Sequence, residues 1–173
     1  MALIKKVRGM SPVFGENCYL ADNATIIGDV TIGDDCSLWF NTVVRGDVNS
    51  IKIGNRVNIQ DGAALHCLYQ KSVIEIGDNV SIGHNVIIHG AKIHNDVLVG
   101  MGATVMDHVE IGENSIIAAG ALVLKDTKIE PNSIYAGVPA KYVKSVDPEQ
   151  TKDMINRIPD NYLIYAGWYK EDS

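Results

Sequence analysis

Apolar side chains recur every six residues along most of this chain. A helix repeats every 3.6 residues and a strand buries alternate residues, so neither explains a period of six held this long. Such a period is typical of a hexapeptide-repeat parallel β-helix. The anchor positions are Phe14, Leu20, Ile26, Ile32, Leu38, Val44, Ile53, Ile59, Leu65, Ile76, Ile82, Ile88, Ile93, Val99, Val105, Ile111, Ile117, Val123 and Ile129.

A second repeating position carries small or β-branched residues, four places after most anchors. We interpret each hexad as a short strand followed by a corner, with the anchor pointing inward and the small residue making room at the bend. Three hexads then close one triangular coil, and coils stack at the sheet spacing of about 4.8 Å. The pattern predicts an all-β parallel β-helix over residues 1–145. The small positions are Cys18, Ala24, Val30, Cys36, Val57, Ala63, Val86, Ala103 and Ala121.

The C-terminal part of the chain, residues 146–173, lacks the repeat and is predicted to be a helical segment that packs on the β-helix. Asp147 has the features of a helix N-cap, with Pro148 at the first helical position and Gln150 at the third. We expect a short helix to about Arg157 and a second helix that restarts at Pro159.

Counting the hexads in threes separates the three faces of the predicted prism. The set that begins at Ile32 carries Asp or Asn in every hexad and should face water. The set that begins at Leu38 places Trp39, Phe40 and His84 at outward positions. Outward aromatic residues on one strip indicate a covered surface, so we expect Trp39 and Phe40 to be buried between chains.

The third face carries two histidines that can share a metal ion. Leu65 and Ile88 are 23 residues apart, which is one 18-residue coil plus a five-residue insertion. His66 and His89, each directly after its anchor, should therefore stack on neighbouring coils. His84 lies on a different face and cannot join them within one chain. The pattern predicts a homotrimer in which each interface holds a three-histidine metal site.

Three charged residues are predicted to support this site. Arg45 and Asp47 lie one coil before His66, and Asp61 lies one coil before His84. We expect Arg45 to face Asp61 of a neighbouring chain, because bidentate guanidinium–carboxylate pairing would fix the register of the interface. The alternative is that both are ordinary solvated charges. The other two histidines, at positions 94 and 108, are predicted bystanders.

Composition narrows the classes of function. The formal charge of −6 is spread along the chain without a Lys/Arg cluster, which argues against nucleic acid as a partner. No apolar run approaches the roughly 18 to 20 residues of a membrane span, and the N-terminus lacks the layout of a signal peptide. The cysteines, Cys18, Cys36 and Cys67, share no disulfide or metal-site spacing. An odd number of thiols fits a reducing compartment, so we expect a cytoplasmic protein.

Taken together, the motifs resemble those of the gamma-class carbonic anhydrase-like proteins, over about residues 10 to 145. The motifs are Arg45-Gly46-Asp47, Asn58-Ile59-Gln60-Asp61-Gly62, His66, and His84 with His89 inside IGHNVIIHG. The resemblance implies a left-handed β-helix trimer that holds zinc, or sometimes iron or cobalt, between subunits through three histidines. It also implies reversible hydration of carbon dioxide to bicarbonate by a metal-bound hydroxide.

The same resemblance implies roles for further residues. Gln60 and Asn58 would position the metal-bound water and the substrate. Tyr162 lies outside the span of the resemblance; with Tyr165 it is a candidate catalytic hydroxyl from the tail, and plain packing of both aromatic rings is the favoured alternative. Strongly active members have acidic residues in the loop after the first histidine and after the Arg-Gly-Asp. Here Val48 follows that motif and Glu75 is the only acid between Cys67 and Ile76, so we expect slow proton transfer.

Two other classes of function stay open at this point. A hexapeptide-repeat acyltransferase would use the groove between prisms for a pantetheine arm and one histidine as a base. The stretch Gly137-Val138-Pro139-Ala140-Lys141 occurs in both groups and does not discriminate between them. A non-catalytic metal-binding trimer would keep the three ligands without turnover.

Overall fold

The predicted left-handed parallel β-helix is confirmed by the computed structural model of the protein, which describes residues 1–171. The hexad anchors point inward and form one continuous core that runs the length of the prism. Anchors such as Ile26, Ile59 and Ile88 are completely buried. The small residues that follow them at the corners, among them Cys36 and Ala63, are buried as well.

The strands of the described residues are β1 (Leu3–Lys5), β2 (Val13–Phe14), β3 (Tyr19–Leu20), β4 (Thr25–Ile32), β5 (Ser37–Leu38), β6 (Val43–Ile53), β7 (Asn58–Ile59), β8 (Ala64–His66), β9 (Ile74–Ile76), β10 (Ser81–Ile82), β11 (Ile87–His89), β12 (Lys92–Ile93), β13 (Val97–Val99), β14 (Thr104–Val105), β15 (Glu110–Ile111), β16 (Ser115–Ile117), β17 (Leu122–Val123), β18 (Lys128–Ile129), β19 (Ser133–Ala136) and β20 (Lys141–Ser145).

These strands form two sheets that cover three faces. One sheet of eight strands, in the order β20-β19-β16-β13-β10-β7-β5-β3, covers the face predicted to carry His84. The other sheet, of twelve strands, covers the remaining two faces because the long strands β4 and β6 each run around a corner. The coils pair in parallel, and the antiparallel strand β20 lies against β19 at the C-terminal end.

The corners depend on residues that tolerate a left-handed backbone. Asn and Asp accept positive φ more readily than most side chains, because their short polar groups can hydrogen-bond locally. Asp35 has a φ of 56° and Asn79 a φ of 58°, each immediately before a buried small residue. Asn ladders reinforce the corners, as where the Asn114 amide donates to Asn132 one coil later at 2.7 Å.

The five-residue insertion after His66 is confirmed by the register of Leu65 with Ile88, but the loop that contains it ends earlier than the predicted Glu75. The loop ends at Val73, since β9 begins at Ile74 and returns the chain to the repeat. Glu75 lies within this strand, in register with Lys52 and Lys92 on the polar face. The loop from residue 67 to residue 73 therefore carries no carboxylate.

The tail is helical, but not as two separate helices. Its segments are α1 (Pro148–Gln150), a π-helical stretch (Thr151–Asn156) and α2 (Arg157–Glu171), so residues 172 and 173 of the predicted segment lie outside the described residues. The predicted capping box at Asp147 is confirmed, because its carboxylate accepts from the Gln150 amide at 2.9 Å. The predicted restart at Pro159 is wrong. The wider π turn before it changes the hydrogen-bonding register, so the missing proline N–H does not break the helix.

The tail covers the Trp39 end of the strip that we expected a second chain to cover. Trp39 is 6% exposed within one chain, and its ring packs against Tyr162 and Tyr169 of α2 at centroid distances of 5.2 and 5.4 Å. Phe40 also contacts Tyr169, at 5.8 Å. The expectation that Trp39 requires a neighbouring chain for its burial is therefore wrong. Within residues 1–171, no helix has the length and apolar character to cross a membrane.

Candidate metal centre

Two candidate ligands stack on adjacent coils, as the repeat predicts. His66 at the end of β8 is in register with His89 at the end of β11, and their ring centroids are 5.4 Å apart. Arg45 lies in register with His66 on the preceding coil. Both side chains stay about a quarter to a third exposed, at 26% for His66 and 31% for His89. One face of the prism thus presents two imidazoles side by side.

Asp47 connects His66 to Arg45. One carboxylate oxygen lies 3.1 Å from Nε2 of His66, and the other accepts from the guanidinium of Arg45 at 2.7 Å. Burial by itself raises the pKa of Asp47, but the hydrogen bonds from Arg45 and His66 outweigh it and hold that pKa below its ordinary value. Burial and the positive charge of Arg45 lower the pKa of His66, which favours the neutral ring that binds metals.

Asp107 connects His89 to the insertion loop. One carboxylate oxygen lies 2.9 Å from Nδ1 of His89, and the other accepts from the Ser72 hydroxyl at 2.8 Å. Asp107 is only 8% exposed. The hydrogen bonds from His89 and Ser72 outweigh the opposing effect of burial and lower the pKa of Asp107, so it is a carboxylate at neutral pH.

His84 lies in the corner after β10, on the other sheet, and is 39% exposed. Its Nδ1 lies 2.9 Å from a carboxylate oxygen of Asp61 on the preceding coil. The second oxygen of Asp61 accepts from the backbone amide of Phe40 at 3.2 Å. His84 is thus held as the other two histidines are, but on a different face.

The three histidines fit a divalent metal by the chemistry of their donors. A carboxylate only accepts, so the ring nitrogen that faces it carries the hydrogen and the other nitrogen keeps a lone pair. The lone pair is on Nδ1 in His66 and on Nε2 in His84 and His89. Metal-binding histidines generally donate their second N–H in this way. Within residues 1–171 of one chain, no group of three or more His, Cys, Asp or Glu could hold a metal ion, and His84 lies on a separate face.

Gln60 and Asn58 form a polar pair beside His84. The Gln60 amide donates to Oδ1 of Asn58 at 2.9 Å, and the Asn58 amide donates to the Ser81 hydroxyl at 2.8 Å. Asn58 is 1% exposed and Gln60 is 6% exposed. Asn58 therefore orients Gln60 from inside the protein, and the oxygen of Gln60 remains available to a ligand.

An apolar cavity of about 430 Å³ lies between this pair and the C-terminal helix. Gln60 and His84 lie in its wall together with Met101, Ile116 and Tyr162. Burial, and then the negative charge of Asp61, raise the pKa of Tyr162 to about 12. At neutral pH the Tyr162 hydroxyl is therefore a hydrogen-bond donor and not a base.

Known proteins resemble this chain over nearly its whole length. The model of the family described as "Bacterial transferase hexapeptide (six repeats)" matches residues 11–46 and 90–125. A carbonic anhydrase of Geobacillus kaustophilus is 43% identical over 168 residues, which are 97% of this chain and 91% of that protein. Gamma carbonic anhydrase 2, a mitochondrial protein of Arabidopsis thaliana, is 38% identical over 163 residues.

The chain belongs to the gamma-class carbonic anhydrase-like family. It covers 58% of the length of the Arabidopsis relative. A crystal structure from Bacillus cereus, of a protein named as a candidate acetyltransferase, superposes with a TM-score of 0.96 at 40% identity and covers 99% of both chains.

The sequence analysis did not identify two residues of the candidate site, Asp107 and Ser72. Asp107 directly follows Met106, whose neighbour Val105 is in register with Ile88. A search for a carboxylate one coil beyond each histidine would have found it. Ser72 left no such signal, because it lies in the insertion, where the repeat does not fix positions.

The predicted contact between Arg45 and Asp61 of a neighbouring chain stays a prediction. Within one chain Arg45 is paired with Asp47, and Asp61 is paired with His84. The Arg45 side chain is 40% exposed and that of Asp61 is 41% exposed. Both therefore keep free surface with which a second chain could pair.

Proposed function

We propose that the protein is a metal-dependent carbonic anhydrase, which hydrates carbon dioxide reversibly to bicarbonate at sites shared between the subunits of a homotrimer. The single observation that carries this proposal is the arrangement of the three histidines, each held by its own carboxylate. His66 and His89 would hold the metal from one subunit and His84 from the next. Three imidazoles with one open position are typical of catalytic and not of structural zinc.

The surface around the histidines supports assembly with further copies of the chain. Ile87, beside His89, is 46% exposed, and Leu124 on the same face is 45% exposed. Met101 is 58% exposed on the face of His84. Apolar side chains that stay exposed next to polar ligands are typical of a surface that another subunit covers. A face that meets a different face of its neighbour is heterologous, and three such contacts close a ring.

Zinc is the metal we expect, with iron or cobalt as alternatives that imidazole also suits. When bound, such a metal lowers the pKa of water from 15.7 toward about 7 and so supplies hydroxide at neutral pH. Asp47, Asp61 and Asp107 hold the three rings in the orientation that leaves a lone pair for the metal. Gln60, oriented by Asn58, would orient the oxygen that attacks or the bicarbonate that forms.

The apolar cavity suits a small uncharged substrate. Carbon dioxide carries no net charge and needs no hydrogen-bond partner. A lining of methionine, leucine and isoleucine side chains therefore excludes water but still accepts carbon dioxide. Tyr162 closes one side of this space and could donate a hydrogen bond to bicarbonate. This hydrogen-bonding role of Tyr162 is part of the proposal. The contact between the rings of Tyr162 and Trp39 supports a packing role as well.

Proton transfer to solvent is expected to limit turnover. A general base works best within hydrogen-bond reach of the proton, directly or through one water. The insertion loop has no carboxylate, and Val48 follows Asp47. The test is carbon dioxide hydration by zinc- or iron-loaded protein at several imidazole concentrations. We expect low activity that rises strongly with imidazole, whereas the absence of hydration in any buffer would favour the non-catalytic trimer.

Acyl transfer is the second candidate function, because the hexapeptide transferase family model matches the chain and the apolar cavity could take an acyl group. An acyltransferase would bind acyl-coenzyme A without added metal. Acyl transfer that survives complete removal of metal would replace our proposal.

We also propose a cytoplasmic location, which three free thiols fit.

A further inference from the structure

Asp107 makes hydrogen bonds with both oxygens, and the two partners come from different parts of the chain. Nδ1 of His89 lies 2.9 Å from one oxygen, and the hydroxyl of Ser72 donates to the other at 2.8 Å. Asp107 and Ser72 are 8% and 5% exposed. Water therefore has little access to this pair, and each hydrogen bond must be satisfied within the protein.

Ser72 is itself held in place from two sides. Its hydroxyl oxygen accepts from the Leu68 amide at 2.9 Å, and its backbone oxygen accepts from the Asn49 side chain at 2.7 Å. Ser72 and Asp107 both pack closely against the backbone of Gly90, where any side chain would collide with them. The insertion loop is therefore packed against Gly90, the residue that directly follows the proposed metal ligand His89.

The hydrogens in this chain of contacts have one consistent arrangement. The Ser72 oxygen already accepts from Leu68, so its own hydrogen points to Asp107. Asp107, as a carboxylate, can only accept, so His89 must carry a hydrogen on Nδ1. The neutral His89 ring is then left with its lone pair on Nε2, the nitrogen available to a metal.

We propose that Ser72 and Asp107 together form a tautomer lock on His89. Asp107 is a positioning residue that keeps the hydrogen on Nδ1, and Ser72 ensures that the group at position 107 acts as an acceptor at both ends. The inference rests on the proposed function in that it takes His89 as a ligand. It also gives the insertion loop a function. The loop carries no carboxylate, but through Ser72 it keeps His89 in the Nδ1–H tautomer that can bind a metal.

The Asp107→Asn variant tests the tautomer lock, because a carboxylate accepts at both oxygens whereas an amide has one acceptor end and one donor end. In Asp107→Asn, an oxygen facing Ser72 leaves the NH₂ group facing His89, which moves the ring hydrogen to Nε2 and blocks the metal. The opposite orientation turns the NH₂ group toward Ser72, whose oxygen also accepts from Leu68, and it leaves the buried Ser72 hydroxyl hydrogen without the acceptor that Asp107 provides. Ser72→Ala removes the hydroxyl donor that holds the amide oxygen on the Ser72 side, so the amide oxygen can turn to His89.

The test measures Zn²⁺ affinity of the full-length protein by competition with a chelating dye. We expect Asp107→Asn to bind Zn²⁺ about 10- to 100-fold more weakly than the unaltered protein, as for other residues that orient a ligand. Ser72→Ala alone should cost less. The double variant should bind more tightly than Asp107→Asn, although it carries one more substitution. The matched control is Glu110→Gln, which alters the same kind of contact to His94, 2.9 Å apart on the polar face, and should leave Zn²⁺ affinity unchanged.

A readout without metal keeps the inference separate from the proposed function. In metal-free protein, ¹⁵N chemical shifts of the imidazoles report which nitrogen carries the hydrogen. His89 should be in the Nδ1–H form in the unaltered protein, shift to the Nε2–H form in Asp107→Asn, and return in the double variant. An unchanged His89 tautomer in Asp107→Asn, or a double variant no better than Asp107→Asn, would overturn the lock. Failure of the unaltered protein to bind Zn²⁺ would overturn the proposed function alone.

Discussion

The pairs His89–Asp107 and His94–Glu110 lie on neighbouring faces of the prism, and of these two pairs only the first belongs to the candidate metal centre. His89 and Asp107 are 2.9 Å apart, and so are His94 and Glu110. Asp107 is 8% exposed, and its second oxygen accepts from a buried serine. The Glu110 side chain is 39% exposed on the polar face, near Lys92.

The difference between these pairs lies in their surroundings and not in the contact itself. An exposed ion pair gains little, because water and salt screen it and both side chains keep other partners. A buried carboxylate with both oxygens engaged holds its histidine in one orientation. His89 has a second imidazole, that of His66, in register beside it. His94 has none, because Ile93 is in register with Ile76 and Ile111, and the residues that follow these two are Gly77 and Gly112. Proximity of a carboxylate alone does not mark a metal ligand.

The largest expected effect separates the two histidines themselves. His89→Ala removes one of three proposed ligands and should abolish stoichiometric metal binding, because two imidazoles alone do not complete the site. His94→Ala removes the same side chain from the polar face and should leave the metal content unchanged. Metal analysis of both purified variants decides this. Full metal content in His89→Ala would remove His89 from the site.

A second comparison concerns which of the two faces, the one with His89 or the polar one with His94, lies in the subunit interface. Ile87→Lys places a charge on the face that we propose to lie against another subunit, and desolvating it should weaken the trimer by at least about 100-fold. Val13→Lys is the matched control, since Val13 is also an exposed apolar residue, at 59%, but lies on the polar face in register with Thr31. Sedimentation analysis should show smaller species for Ile87→Lys only. A trimer that tolerates Ile87→Lys would place the interface elsewhere.

The smallest expected effect is on acid stability. The pKa of Asp107 is lowered in the folded protein, so the unfolded chain binds a proton more readily. The free energy of unfolding must then fall as the pH drops from about 5 through the lowered pKa. His66 acts in the same direction below 6.5, because its folded pKa is also lowered.

Asp107→Asn removes this contribution and should flatten the acid limb of the stability curve by on the order of 1 kcal/mol, the scale of one hydrogen bond. The exposed carboxylate of Glu110 is screened by water, so Glu110→Gln should change the limb less. Denaturant unfolding of metal-free protein between pH 3 and pH 7 checks both. A larger change in Glu110→Gln would reverse the ranking of the two pairs.

The sequence was sufficient to predict the fold and the faces on which the three histidines lie. The hexad anchors predicted the three faces, and counting from Leu65 to Ile88 predicted that His66 and His89 are neighbours. The same counting placed His84 on a different face. These predictions succeed because the six-residue period fixes both the direction and the height of each side chain.

Features outside the repeat could not be predicted in this way. The path of the tail over Trp39 depends on tertiary packing, and the passage of the helix through Pro159 depends on a π turn that leaves no mark in the sequence. Ser72 takes its place from the conformation of an irregular loop. The hydrogen bond from Ser72 to Asp107 therefore required the structure.

The central claim is that each metal site takes ligands from two subunits, and mixing two defective variants tests it most directly. His84→Ala lacks the ligand of one face and His66→Ala lacks a ligand of the other, so neither homotrimer holds a complete site. After subunit exchange, a mixed trimer contains an interface in which the intact His66 and His89 of one chain meet the intact His84 of another. We predict that mixing restores stoichiometric metal binding to these interfaces. If subunit exchange is demonstrated by labelled chains and metal binding is still not restored, the shared site is contradicted.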